Sequence, residues 1–141
     1  MHPTHIQATR IFFYTWILLL QLTICNNSVA ADVTQQQLLD RLDTKDEPLI
    51  LDVRRPDEYA AGHVPHAINI PHTEIGNRLQ QLRPDINKEI VVYCESGRRA
   101  AIAGDILTRA GFTNVLHLQG DMKGWRMRGL PLQEDSSDNV P

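Results

Sequence analysis

Cysteine is nearly absent from this 141-residue chain, which has only Cys25 and Cys94. Cys25 lies in a segment that reads as an export signal, so the exported chain keeps one thiol and no internal disulfide can form. A basic tract is also lacking. All seventeen acidic residues and every basic residue except Arg10 lie beyond residue 30, leaving a mildly acidic body without the footprint that nucleic-acid binding requires. The apolar run from Ile11 to Ile24 falls short of membrane-spanning length: as a helix it covers about 21 Å of a hydrocarbon core of about 30 Å. Around His63, His66 and His72, no cysteine or carboxylate pattern completes a metal motif.

What the N-terminus does contain has the order of a signal peptide. Arg10 precedes the apolar run, Asn26 and Asn27 follow it, and Ser28, Ala30 and Ala31 are small. Residues 1–30 are therefore expected to be a signal, cut after Ala30 or, nearly as well, after Ala31. Two alternatives stay open. Cys25 could be lipidated, although bulky Ile24 precedes it, and an uncleaved anchor could seat Tyr14 and Trp16 at a membrane interface. Export implies a periplasmic or secreted protein. About 110 residues remain, enough for one core, assigned to a domain at 31–132 with a disordered polar tail at 133–141.

Within that domain, apolar runs alternate with helical spacing. Thr34 and Gln37 form a capping box ahead of a helix from Gln35 to Leu42. Strands are expected at 48–53, 67–70, 89–93 and 114–118, as continuous apolar runs of the kind buried on both faces. Between them, a brief helix begins near Pro56 and stops at Gly62. Another spans Glu74 to Leu82, and a third runs from Arg98 to Ala110 with Gly111 as its terminator. Gln119 to Arg128, including Trp125, is expected to form a loop and short helix over the sheet, with Trp125 in the core or a lid. A parallel or mostly parallel sheet covered by helices is the solution for this pattern, and ligands of such sheets bind beyond the strand carboxyl ends.

Cys94 stands at one such end, in Tyr93-Cys94-Glu95-Ser96-Gly97-Arg98-Arg99. A free thiol has a pKa near 8.5, and lowering it by about two units, worth roughly 2.7 kcal/mol, would make it mostly thiolate at neutral pH. The amides from Glu95 to Arg99 can form a nest around the sulfur, and Gly97 permits the left-handed backbone that such a curl needs. The following helix aims its positive end there, and Arg98 and Arg99 add donors and charge. Glu95 opposes an anion and is expected to point into solvent. The bland alternative, a cysteine acting as a small buried hydrophobe, fits this setting less well, because reactive thiols favour electropositive, partly exposed sites. Arg54 and Arg55 are expected in scaffold or rim roles, with Arg54 placed to pair with Asp52 or Glu58.

The motifs resemble the rhodanese family of sulfurtransferases. Cys94 to Arg99 fits the active loop CxxGxR. Asp52-Val53-Arg54 with Glu58-Tyr59, Gly62-His63-Val64, Ala67 and Asn69-Ile70 is similar to its first signature. Leu118-Gln119-Gly120-Asp121 through Gly124-Trp125 is similar to its last, with Asp121 where a second glycine is common. The resemblance implies a three-layer α/β domain with a mostly parallel five-stranded sheet and helices on both faces. It implies that Cys94 takes the outer sulfur of a small anion such as thiosulfate as a persulfide and passes it to cyanide, a thiol or a protein acceptor. Arg99 would bind the donor's sulfonate with help from Arg98, while Gly97, Ser96 and Glu95 complete the loop. No cofactor or metal is implied, and contact with a membrane would come only through an uncleaved signal. Two rival readings are a cysteine phosphatase of the same fold and a non-enzymatic carrier or partner-binding module. The phosphatase requires five residues between Cys and Arg, where this chain has four.

Overall fold

A computed structural model describes residues 31–134; the signal expected at 1–30 and the tail beyond residue 134 lie outside the described residues. The strands are β1 (Ala31–Val33), β2 (Leu49–Asp52), β3 (Ile68–Asn69), β4 (Ile90–Tyr93) and β5 (Val115–Leu118). The helices are α1 (Gln35–Leu39), α2 (Pro56–Ala60), α3 (Ile75–Leu82), α4 (Arg98–Arg109) and α5 (Asp121–Met127). All strand pairs are parallel, in the order β1-β5-β4-β2-β3.

Four strands lie where the apolar runs place them. The fifth, β1, is too short to show a period and abuts the expected cleavage site, yet it pairs with β5 from Ala31↔Leu116 to Val33↔Leu118. The capping box of Thr34 and Gln37 is present in both directions. α1 nevertheless ends at Leu39 rather than Leu42, because Arg41 and Leu42 bond to carbonyls three residues back and tighten the chain out of the α-helix. Gly62 and Gly111 take φ of +132° and +98° after α2 and α4, as helix terminators do.

The twofold alternation of the central strands divides the core. Leu51, Val53, Ile90, Val92 and Cys94 face one layer with Ile75, Leu82, Ala103 and Leu107 from α3 and α4. Ile50, Val91 and Tyr93 face the other with Leu38, Met122 and Trp125 from α1 and α5. Each fully buried aliphatic side chain contributes about 1.5–3 kcal/mol, so these clusters supply the main stabilisation. Trp125 is a core residue whose Nε1–H donates to the Pro131 carbonyl at 2.7 Å.

Arg54 and Asp52 form a fully buried ion pair, with Nη2 at 2.6 Å from Oδ2 and a further bond of 2.8 Å to the Gly62 carbonyl. Removing one partner of such a pair costs about 3–5 kcal/mol, which makes Arg54 part of the scaffold. The polar tail expected from Gln133 begins with an ordered residue: Gln133 exchanges two 2.9 Å backbone bonds with His63, and its side chain accepts from the His66 amide. That pairing holds the chain against the turn after α2, and composition alone does not reveal it.

The strand order creates a crevice between neighbouring β2 and β4. The chain leaves β2 for α2, whose Tyr59 packs on the α1/α5 face, but leaves β4 for α4 on the opposite face. Such a switch point beyond the carboxyl ends is where α/β sheets bind ligands. Cys94 and Arg99 reach it from β4, and Glu58 reaches it from β2.

Candidate active site

The fully buried strand β4 delivers Cys94 to the end of the sheet, where four residues turn the chain into α4. Gly97 makes the turn possible with φ +92° and ψ −27°. Its N–H donates to the Cys94 sulfur at 3.1 Å. Of the amides expected to form a nest, this is the one bonded to the sulfur among the described residues. The rest of the loop is held from behind by α5: Cys94 O accepts from Met122 N at 3.0 Å, and Glu95 O accepts from Lys123 N at 3.1 Å.

Cys94 is 1% exposed, so the partial exposure expected of it is not met. Its residue joins the α3/α4 core layer beside Ala100 and Ala103, because the twofold alternation that buries Ile90 and Val92 continues one residue past the strand. The sulfur is not enclosed by aliphatic groups alone. Gly97 N–H donates to it, and it acts electrostatically on the Arg99 guanidinium.

Arg99 is anchored across the crevice. Its Nη1 and Nη2 donate to Glu58 Oε2 and Oε1 at 2.6 and 2.9 Å, and Glu58 also accepts from the Arg55 amide at 3.1 Å. The Arg99 hydrogen bond holds the Glu58 carboxyl at about 2, well below its usual range, with burial opposing and Arg55 assisting. Arg99 is in turn pushed above its ordinary value, chiefly by Glu58, with burial opposing and the Cys94 sulfur adding a smaller effect. Arg99, expected from the sequence to be the main anion-binding cation, has its charge balanced by Glu58 in the structure. Arg98 is exposed and has no ionic or hydrogen-bonded partner among the described residues.

Glu95 is not left to solvent screening as expected. Its side chain remains about one-third exposed but is ion-paired with Arg126 of α5, so its charge is offset by a neighbour. Ser96 is exposed on the loop. His63 is buried and stacks on Tyr59, while exposed His66 pairs with Glu47; among the described residues no group of three His, Cys, Asp or Glu side chains converges to hold a metal.

Glu58 stands in the sequence as part of the first signature and as a scaffold partner for Arg54, not as a partner of the loop, and Arg126 has no site role there. Asp121 was visible only as a departure from glycine. It carries φ +51°, uncommon for a side-chain-bearing residue, and accepts from the Cys94 amide with Oδ1 at 2.9 Å. His117, from β5, lies 3.1 Å from both Asp121 oxygens. An acidic residue at a glycine position was the available signal.

Together, this fold and loop belong to a known class: the chain is a member of the rhodanese-like domain family, whose sequence model matches residues 34–128. Among its relatives is a sulfurtransferase of Allochromatium vinosum, 33% identical over 101 residues, covering 72% of this chain and 92% of that protein. The thiosulfate sulfurtransferase PspE of Escherichia coli is 41% identical over 70 residues, covering 50% of this chain and 67% of the relative. The solved human single-domain sulfurtransferase TSTD1 superposes with a TM-score of 0.63 at 28% identity, covering 70% of this chain and 97% of that one. Longer relatives from Mycobacterium tuberculosis and Bacillus subtilis are covered over 44% and 53% of their length.

Proposed function

We propose that the protein is a thiosulfate sulfurtransferase that carries sulfur on Cys94. The single observation behind this reading is the Gly97 N–H that donates to the Cys94 sulfur at 3.1 Å, in a loop whose Arg99 cation is influenced by the same sulfur. A donated N–H and a nearby cation both favour a sulfur anion. The Cys94 thiolate attacks the outer sulfur of thiosulfate, forming a new S–S bond. The S–S bond of the donor breaks, and its electron pair leaves with sulfite. Cyanide or a thiolate then attacks the outer sulfur of the persulfide, leaving as thiocyanate or a new persulfide and returning the electron pair to Cys94. The result is ping-pong turnover through a covalent intermediate.

Arg99 donates to the donor from the N–H groups not committed to Glu58, while Arg98 contributes the uncompensated positive charge. Mass spectrometry of the protein before and after thiosulfate tests the first half. One sulfur gained by wild type and none by Cys94→Ala supports the reading; no gain by wild type overturns it. Repeated turnover to cyanide supports an enzyme, whereas a single transfer per chain turns the reading to a carrier.

Export rests on Arg10, the apolar run and the small residues to Ala31, and we propose a periplasmic or secreted location on that basis. Recovery from the producing cells with an N-terminus at Ala31 or Asp32 supports it. Recovery from the cytosol with residues 1–30 attached overturns it.

A further inference from the structure

We infer that Asp121 and His117 form a positioning pair for the Cys94 loop in the sulfur transfer proposed above, so that the Cys94 backbone and the His117 imidazole respond to pH together. Asp121 Oδ1 accepts from the Cys94 amide at 2.9 Å and also lies 3.1 Å from His117 Nε2, which is equally close to Oδ2. One buried carboxylate thus joins the residue that carries the chemistry to a half-exposed titratable ring. The same pair forms the wall beneath the loop turn. A methyl group at Gly97 would stand 3.1 Å from Asp121 Oδ2 and 3.3 Å from His117 Cε1.

The pair is built at a conformational cost. Asp121 follows Gly120 in a second consecutive left-handed position, with φ of +77° and +51°. Residues other than glycine are held there when the surroundings compensate. Here the compensation is the Cys94 amide, the imidazole, and the Gln35 side chain donating to the Asp121 carbonyl at 3.3 Å.

The two carboxylates that act on the ring, Asp121 and Asp32, both favour its protonated form. Asp121 faces it from α5, and Asp32 from β1 approaches Nδ1 at 3.8 Å. Asp105 from α4 lines the same cleft of about 230 Å³ as Asp32 and His117. Accordingly His117 is raised above its ordinary value, chiefly by the bond to Asp121, with burial opposing and Asp32 assisting. Below that raised value the imidazolium balances Asp121. As pH rises through the raised value, that balance is lost and the carboxylate's negative charge is left facing the loop.

The test is an NMR titration of the isotope-labelled chain, following the His117 Cε1–H and Cys94 amide signals. In wild type the two should share a midpoint above about 6.5, the unperturbed histidine value. His117→Gln should remove that step from the Cys94 amide, and Asp121→Asn should uncouple the two signals. A Cys94 step that persists in His117→Gln at the same midpoint overturns the inference. For transfer itself, Asp121→Gly suits the backbone but removes the acceptor, and should lower kcat about tenfold or more with little change in KM, as loss of a charge-assisted bond implies. Asp121→Asn, which still accepts from Cys94, should recover most of it; equal kcat in all three proteins overturns the inference. The titration needs no sulfur donor. Coupled signals in a protein that takes no sulfur from thiosulfate would therefore end the proposed reaction and leave the pair standing.

Discussion

Glu58 grips Arg99 with two hydrogen bonds of 2.6 and 2.9 Å, joining the helix that follows β2 to the helix that follows β4. The guanidinium beside the Cys94 sulfur is thereby set by a residue forty-one positions earlier. Anchoring on this scale replaces the freedom of a long side chain with one orientation, which lowers the cost of aligning a small anion.

Glu58→Gln keeps one oxygen as an acceptor but loses the second. It should lower kcat/KM for thiosulfate about tenfold, the equivalent of one charge-assisted bond. Arg99→Ala should act mainly by raising KM. Steady-state kinetics with thiosulfate and cyanide measures both, and wild-type constants in either variant would end the role given to this pair.

The same pair gives stability a pH dependence of known sign. Glu58 falls from an ordinary 4.5 to about 2 in the folded chain. Its contribution is fully present above the unfolded value and is lost as pH falls through the folded one. The stability gap between wild type and Glu58→Gln should therefore be largest at pH 6–7 and close between about 4.5 and 2. Denaturant unfolding at a series of pH values checks this; a gap that widens on acidification contradicts it.

Gly97→Ala tests the turn. Its backbone has φ +92°, and an added methyl meets Asp121 and His117 at 3.1 and 3.3 Å. The substitution should cost about 1–3 kcal/mol in urea unfolding and slow sulfur loading by displacing the N–H that bonds the sulfur. Wild-type stability and loading together would show that the turn tolerates a side chain.

Arg126→Ala should leave the fold unchanged but free the Glu95 carboxylate next to Cys94. Loading by the dianionic donor should slow by about two- to fivefold at low salt, as expected for one exposed ion pair. The difference should shrink as salt screens the freed charge. A rate independent of both substitution and salt would mean that Glu95 does not act on the loop.

Much of this arrangement is legible along the chain because it is local. The apolar runs of β2 and β4, the capping box at Thr34, the terminators Gly62 and Gly111 and the CxxGxR loop each depend on residues a few positions apart. Their signals are period, volume and permitted backbone angles. The three-residue β1 was not legible from pattern, because it is a strand through its pairing with β5 far along the chain, and neither was the hold of His63 on Gln133.

The order of residues alone therefore determined a helix-covered parallel sheet with one thiol at a strand end, since burial periodicity and glycine geometry act over short distances. Tertiary structure alone decided how the charges around that thiol are shared out. Arg99 went to Glu58, Glu95 to Arg126, and the Cys94 amide to Asp121. Ionic and hydrogen-bonded pairings of this kind depend on which strands become neighbours, and partners separated by dozens of residues leave no period in the sequence to announce them.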